Sequence, residues 1–130
     1  MKDPLSFAFR AKNGEYAWKA DDVPNAVKLF SQNNLAIIDG NAWLVNKAGN
    51  VNELYWFNFE IHEKGEYESW DAYVESTSNE FLISYNQIKN DNSILDEKET
   101  DEGVLYFNIS FLDEKGYADL SRRVDEIYQQ

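Results

Sequence analysis

An α+β domain, a mostly antiparallel sheet with helices packed on one face, is the fold class that three observations in this sequence predict. Residues 54–62 and 104–112 alternate apolar and polar side chains with a period of two, as half-buried strands do. Residues 23–30 and 70–88 instead carry apolar side chains at helical spacing. The two kinds of segment are interleaved, and the strands show one apolar and one mixed face, the pattern of antiparallel rather than parallel pairing. A chain of 130 residues, 43% hydrophobic and 15% aromatic, carries enough apolar material for one core and too little length for two. A single domain over 1–130 follows.

Taken in order, Leu5 to Arg10 alternates weakly and meets a turn at Asn13-Gly14, which suggests a short strand or hairpin arm. Asp21-Asp22-Val23-Pro24 reads as a helix start with an acidic cap and a proline in the first turn. Val23, Ala26, Val27 and Phe30 continue it, and Asn33-Asn34 ends it. Leu35 to Ile38 and Ala42 to Val45 read as two short strands, separated by a turn at Asp39-Gly40 and closed by another at Lys47-Ala48-Gly49-Asn50. Leu54 to His62 is the clearest strand, with Tyr55, Phe57, Phe59 and Ile61 on its core face. Ser69 caps a long helix that places Trp70, Tyr73, Val74, Thr77, Phe81, Tyr85 and Ile88 on one side, with Asp71 suited to its first turn. Asn90 to Glu102 is almost devoid of apolar residues apart from Ile94 and Leu95 and reads as a mobile acidic loop. Val104 to Leu112 is a strand with Leu105, Phe107, Ile109 and Phe111 on one face, and Tyr117, Leu120, Val124, Ile127 and Tyr128 write a final helix.

The charge narrows the function. Against twelve Lys and Arg stand twenty-four Asp and Glu, a formal net charge of −12. Such a chain repels nucleic-acid phosphates and anionic membranes and favours basic protein partners. Between Glu53 and Glu102 lie fourteen acids and only three bases, so that block carries −11 of the total. Within it Glu60, Glu63, Glu66, Glu68 and Asp71 form one candidate partner-binding cluster, and Asp96, Glu97, Glu99, Asp101 and Glu102 a second. The competing reading is that these acids only keep the protein in solution. Among the four tryptophans, Trp70 belongs with the core and Trp56 with core or second-face packing, while Trp18 and Trp43 join them as possible aromatic anchors beside the charge.

Catalysis finds little support. No cysteine is present, so thiol nucleophiles, disulfides and Cys-based zinc sites are excluded, and no serine occupies a Gly-x-Ser-x-Gly elbow. His62, the single histidine, could act as a base with Glu60 on the same strand face, but one imidazole beside a carboxylate is more often structural. Glu66 and Glu68 could in principle serve glycoside hydrolysis, but that chemistry needs a set separation across a cleft, which their spacing in a turn does not establish. Asp96 to Gly103 superficially resembles a calcium loop, but Lys98 stands at the third ligand position and the sixth lacks glycine, so no EF-hand is expected. Weak divalent binding stays open there. Asn108-Ile109-Ser110 matches a glycosylation triplet inside an expected strand, where modification is not anticipated. No cofactor is expected. The start, Met1-Lys2-Asp3-Pro4, precedes no apolar stretch of signal-peptide length, which with the lack of cysteine agrees with a cytoplasmic location.

Glu15-Tyr16-Ala17-Trp18, the Asp21-Asp22 helix start, Leu35-Ala36-Ile37-Ile38-Asp39-Gly40, the aromatic segment around Trp56, and Glu68-Ser69-Trp70-Asp71-Ala72-Tyr73-Val74 together carry a family resemblance. Over roughly residues 14–88 the chain resembles the fortieth family in the numbered series of bacterial polymorphic-toxin immunity proteins. The resemblance implies a small cytoplasmic protein that binds a cognate toxin domain and blocks it, without catalytic residues of its own. It carries over no contact residue. An acidic adaptor or regulatory module with no toxin partner is the alternative that the charge alone would allow.

Overall fold

The structure, a computed structural model, describes residues 3–94 and 103–128. Its strands are β1 (Phe9–Arg10), β2 (Tyr16–Lys19), β3 (Ala36–Val45), β4 (Val51–Glu53) and β5 (Val104–Leu112). They form one sheet in the order β1-β2-β5-β3-β4, with every neighbouring pair antiparallel. The helices are α1 (Val23–Gln32), α2 (Trp70–Lys89) and α3 (Glu114–Tyr128). The fold is α+β, as the sequence predicts. Val23, Val27 and Phe30 of α1 and Phe81, Tyr85 and Ile88 of α2 share one core with Trp18, Ile37, Leu44, Phe107 and Ile109 of the sheet. The opposite sheet face carries a small cluster of Ala11, Ala17, Trp43 and Val45, with Phe9 and Tyr106 at its margin and no helical residue among the described ones.

Local chemistry accounts for the element ends. After α1 the chain turns through Asn34 at φ 60°, and the Asn34 and Leu35 amides return to the Ser31 and Phe30 carbonyls. That pair of bonds satisfies the last turn, and asparagine tolerates the left-handed conformation it requires. The start of α1 differs from expectation: a 3-10 turn over Ala20–Asp22 leads into it, and Asp22 makes no side-chain cap bond. Ser69 does cap α2, accepting from the Ala72 amide at 3.1 Å, and Asp113 caps α3 through the Gly116 amide at 2.7 Å. The hairpin arm expected near the start is the two-residue β1, preceded by a 3-10 turn over Pro4–Phe7 and paired with β2.

Two expected strands, 35–38 and 42–45, are one strand. No turn forms at Asp39-Gly40; instead Ile37 pairs with Phe111 and Asp39 with Ser110, leaving Ile38 as the extra residue of a bulge. The bulge resets the alternation, so that Ile37 before it and Ala42 and Leu44 after it all join the helix-facing core. Without it these residues would fall on opposite faces.

The strand expected at 54–62 does not form. Pairing ends just past β4, where the Leu54 amide donates to the Ala42 carbonyl at 2.8 Å, and the chain then crosses the helix-facing side of the sheet as irregular backbone. Its alternation is nevertheless used: Phe57, Phe59 and Ile61 pack against the main core. Phe59 stacks on Phe81 of α2 with centroids 4.8 Å apart and meets Phe107 of β5 edge-on at 6.0 Å. Tyr55 departs from the expected core face and is 81% exposed, and Trp56, expected to be packed, is 42% exposed. Trp18, Trp43 and Trp70 are buried, so neither Trp18 nor Trp43 is a surface anchor. The Trp18 ring nitrogen donates to the Pro4 carbonyl at 2.8 Å.

Of the segment expected to be an acidic loop, the described part holds a helical turn at 92–94, and Ile94 is buried in the main core. In α3 only Tyr117 packs inward, against Trp70 and Tyr73, while Leu120, Val124, Ile127 and Tyr128 are exposed. The apolar spacing there specified a helix without burying its stripe.

Gly40 is where the crossing segment meets the sheet. A Cβ on it would lie 2.6 Å from the Phe81 ring and 3.1 Å from the Phe59 ring, so only glycine lets both rings approach β3. Gly40→Ala is therefore expected to destabilise the protein by about 1–3 kcal/mol, the usual cost of overpacking a filled core. Urea unfolding should show a lower midpoint with an unchanged slope, and an unchanged midpoint would contradict this close packing.

Candidate binding surface

The crossing segment presents Glu60, Glu63, Glu66 and Glu68 of the first predicted cluster, so what fixes it fixes them. Backbone groups that lack ladder partners are taken up by side chains from both flanking helices. The Tyr73 hydroxyl donates to the His62 carbonyl at 3.0 Å, and the Tyr117 hydroxyl accepts from the Lys64 amide at 2.9 Å. Glu80 accepts from the His62 amide at 3.2 Å, and Glu68 from the Gly65 amide at 3.1 Å. Burial above all, with Tyr117 adding to it, pushes the Tyr73 hydroxyl well above the usual phenol range. It remains a donor throughout the physiological range.

At the centre of the surface is His62. Its Nδ1 lies 2.7 Å from Glu80 and its Nε2 3.1 Å from Glu68, and its ring meets Tyr73 edge-on. Only the imidazolium offers an N–H to each carboxylate. Hydrogen bonding to Glu80 foremost, and to Glu68, raises the His62 pKa against a smaller opposing effect of burial. The Gly65 amide first, and His62 next, lower that of Glu68. Glu60, proposed from the sequence as the partner of His62, is not one of the two carboxylates on its ring. That pairing assumed a strand that does not form, and both ring nitrogens are committed elsewhere.

The predicted contacts separate into four groups. Glu60 is exposed on the rim of a groove of about 660 Å³ between residues 58–62 and α2, lined also by His62, Glu80, Ile83, Ser84 and Gln87. Glu63 borders a second groove, of about 430 Å³, against Tyr117, Leu120 and Val124 of α3. Glu66 and Asp71 are exposed at the turn before α2 and in its first turn, while Glu68 is half-buried beside His62. Asp96, Glu97, Glu99, Asp101 and Glu102 lie outside the described residues. The residue that sequence reasoning passed over is Glu80, whose position on α2 faces His62 across the groove. It is eighteen positions from His62, and no local spacing connects them.

Among the described residues no group of three or more His, Asp or Glu is placed to hold a metal ion, and no helix is long and apolar enough to cross a membrane. Comparison of the chain with protein-family models, curated proteins and solved structures gives no match.

The His62 cluster makes stability depend on pH in a defined direction. Because its pKa is raised on folding, the contribution of His62 is complete below its ordinary value of 6.5 and is lost as pH rises through the raised value. Glu68, lowered on folding, contributes above its ordinary 4.5 and loses that contribution as pH falls through its lowered value. The cluster therefore stabilises most between those two ordinary values. His62→Ala should narrow its stability deficit relative to the parent protein as pH is raised from 6 to 9, read from urea midpoints across the series. A deficit constant over that range would remove the imidazolium from the account.

Proposed function

We propose that this chain is a non-enzymatic immunity protein that binds a cognate bacterial toxin domain, laying an acidic surface on a basic face of the toxin. The observation that carries the basic partner is the rigid display of Glu60, Glu63, Glu66, Glu68 and Asp71 on one aromatic-anchored segment and the helix start that follows it. Lys64 is the one Lys or Arg among residues 60–71, and the His62 ring is already committed to Glu68 and Glu80. Fixed carboxylates facing Arg and Lys form strong charge-assisted hydrogen bonds and accelerate encounter, which suits an inhibitor that must reach its target quickly. A nuclease, whose substrate groove is itself positive, is the toxin chemistry such a surface fits best. The family resemblance supplies the word toxin; the charge supplies the word basic. An acidic adaptor without a toxin partner is the second reading, favoured by the same surface if the resemblance is set aside.

Co-expression decides between them. An adjoining gene is expected to encode the toxin, whose C-terminal fragment should arrest growth alone and not when this chain is present. Reversing Glu60, Glu63, Glu66, Glu68 and Asp71 to lysine together should weaken the complex by at least about a hundredfold, mostly through slower association at low salt. Circular dichroism would check that the variant folds. Equal affinity in a folded variant would remove this surface from the interface, and an adjoining gene without toxic activity would leave the adaptor.

A further inference from the structure

The groove between residues 58–62 and α2 has a feature that solubility does not explain. Glu80, Ile83, Ser84 and Gln87 recur at helical spacing and line one wall of it, opposite Asn58, Glu60 and His62. Ser84 is the most deeply buried of these, only 7% exposed, yet its hydroxyl makes no hydrogen bond to any described residue. Three other hydroxyls of the same helix behave differently: Ser76 turns back to the Ala72 carbonyl, and Thr77 and Ser78 to that of Val74. Its oxygen is not sealed from solvent, so it stands open at the groove wall as a hydroxyl able to accept from a bound donor.

We propose that this groove receives an arginine side chain of the basic partner, with Glu60 and Glu80 pairing to the guanidinium and Ser84 accepting one of its N–H groups. The proposal rests on the basic-partner reading above and gives it an address. Arginine fits better than lysine because its planar fork can spread five donors over two carboxylates, a hydroxyl and the amide oxygens of Asn58 and Gln87. Ile83, 60% exposed among polar neighbours, offers apolar surface for the aliphatic stem. Glu80 already accepts from His62, but a carboxylate has about four lone-pair sites and keeps some for a second cation. Glu60 makes no ion pair or hydrogen bond with a described residue and is free to turn inward.

The probe is N-acetyl-arginine-N-methylamide, titrated into the isotope-labelled chain at neutral pH, with the lysine and citrulline analogues in parallel. Saturable shifts at Ile83, Ser84 and Gln87 are expected with the arginine compound, weaker by at least about threefold with lysine and absent with the neutral citrulline. Glu60→Gln and Ser84→Ala should each weaken binding by about threefold or more, the lower end of what one hydrogen bond contributes at a water-exposed site. Glu60→Gln touches no internal contact, so its effect cannot be ascribed to misfolding. Shifts that never saturate, an equal response to citrulline or lysine, or unaltered binding by both variants would overturn the assignment. If the arginine compound binds but the adjoining gene proves to have no toxic activity, the toxin reading falls and the groove stands. If protection is lost on reversal yet the compound does not bind, the groove falls and the wider surface stands.

Discussion

Much of this molecule depends on one side chain, Phe59, being sandwiched between α2 and the sheet. Its ring lies against Phe81, edge-on to Phe107, and over a glycine that has no Cβ to obstruct it. That contact draws an otherwise unpaired segment across the core, where it becomes part of the layer between sheet and helix. The position of every carboxylate from Glu60 to Glu68 follows from it. Apolar packing thus decides where the charges are, and electrostatics only decides what they do there.

Charge crowded in this way opposes folding through self-repulsion. His62 offsets some of that repulsion by placing a cation between Glu68 and Glu80, and the two tyrosine hydroxyls hold the backbone on either side of Glu63. The ordering entropy of the segment is therefore met largely during folding, before any partner arrives. A surface prepared in this way loses less freedom on association than a flexible acidic tail would.

The elements most legible in the sequence were those whose pattern is local. The cap at Ser69, the α2 stripe, the asparagine stop of α1 and the limits of β5 follow from spacing and turn chemistry alone. Alternation over 54–62 correctly announced that one side is buried, but period two does not say whether the backbone bonds to a neighbouring strand or to side chains. Asp39-Gly40 has the composition of a turn, and only the pairing of β3 with β5 shows a bulge there. Glu80 and Ser84 were not singled out because the residues they face across the groove, Asn58, Glu60 and His62, lie far off in sequence. Reading the candidate surface from charge singled out the crossing segment and passed over the α2 wall of the groove beside it.

The sheet itself ends in short strands, two residues in β1 and three in β4, and the bare stretch of β3 beyond β4 is occupied by other means. The Gly40 amide is taken by its neighbour Asp39, the Ile37 amide by the buried Thr77 hydroxyl, and the Ala42 carbonyl by Leu54. Little template is left for a foreign strand to extend the sheet. Main-chain recognition, which is tolerant of sequence, is thereby discouraged, and recognition of a partner would fall to side chains, where a few substitutions could redirect it without disturbing the scaffold.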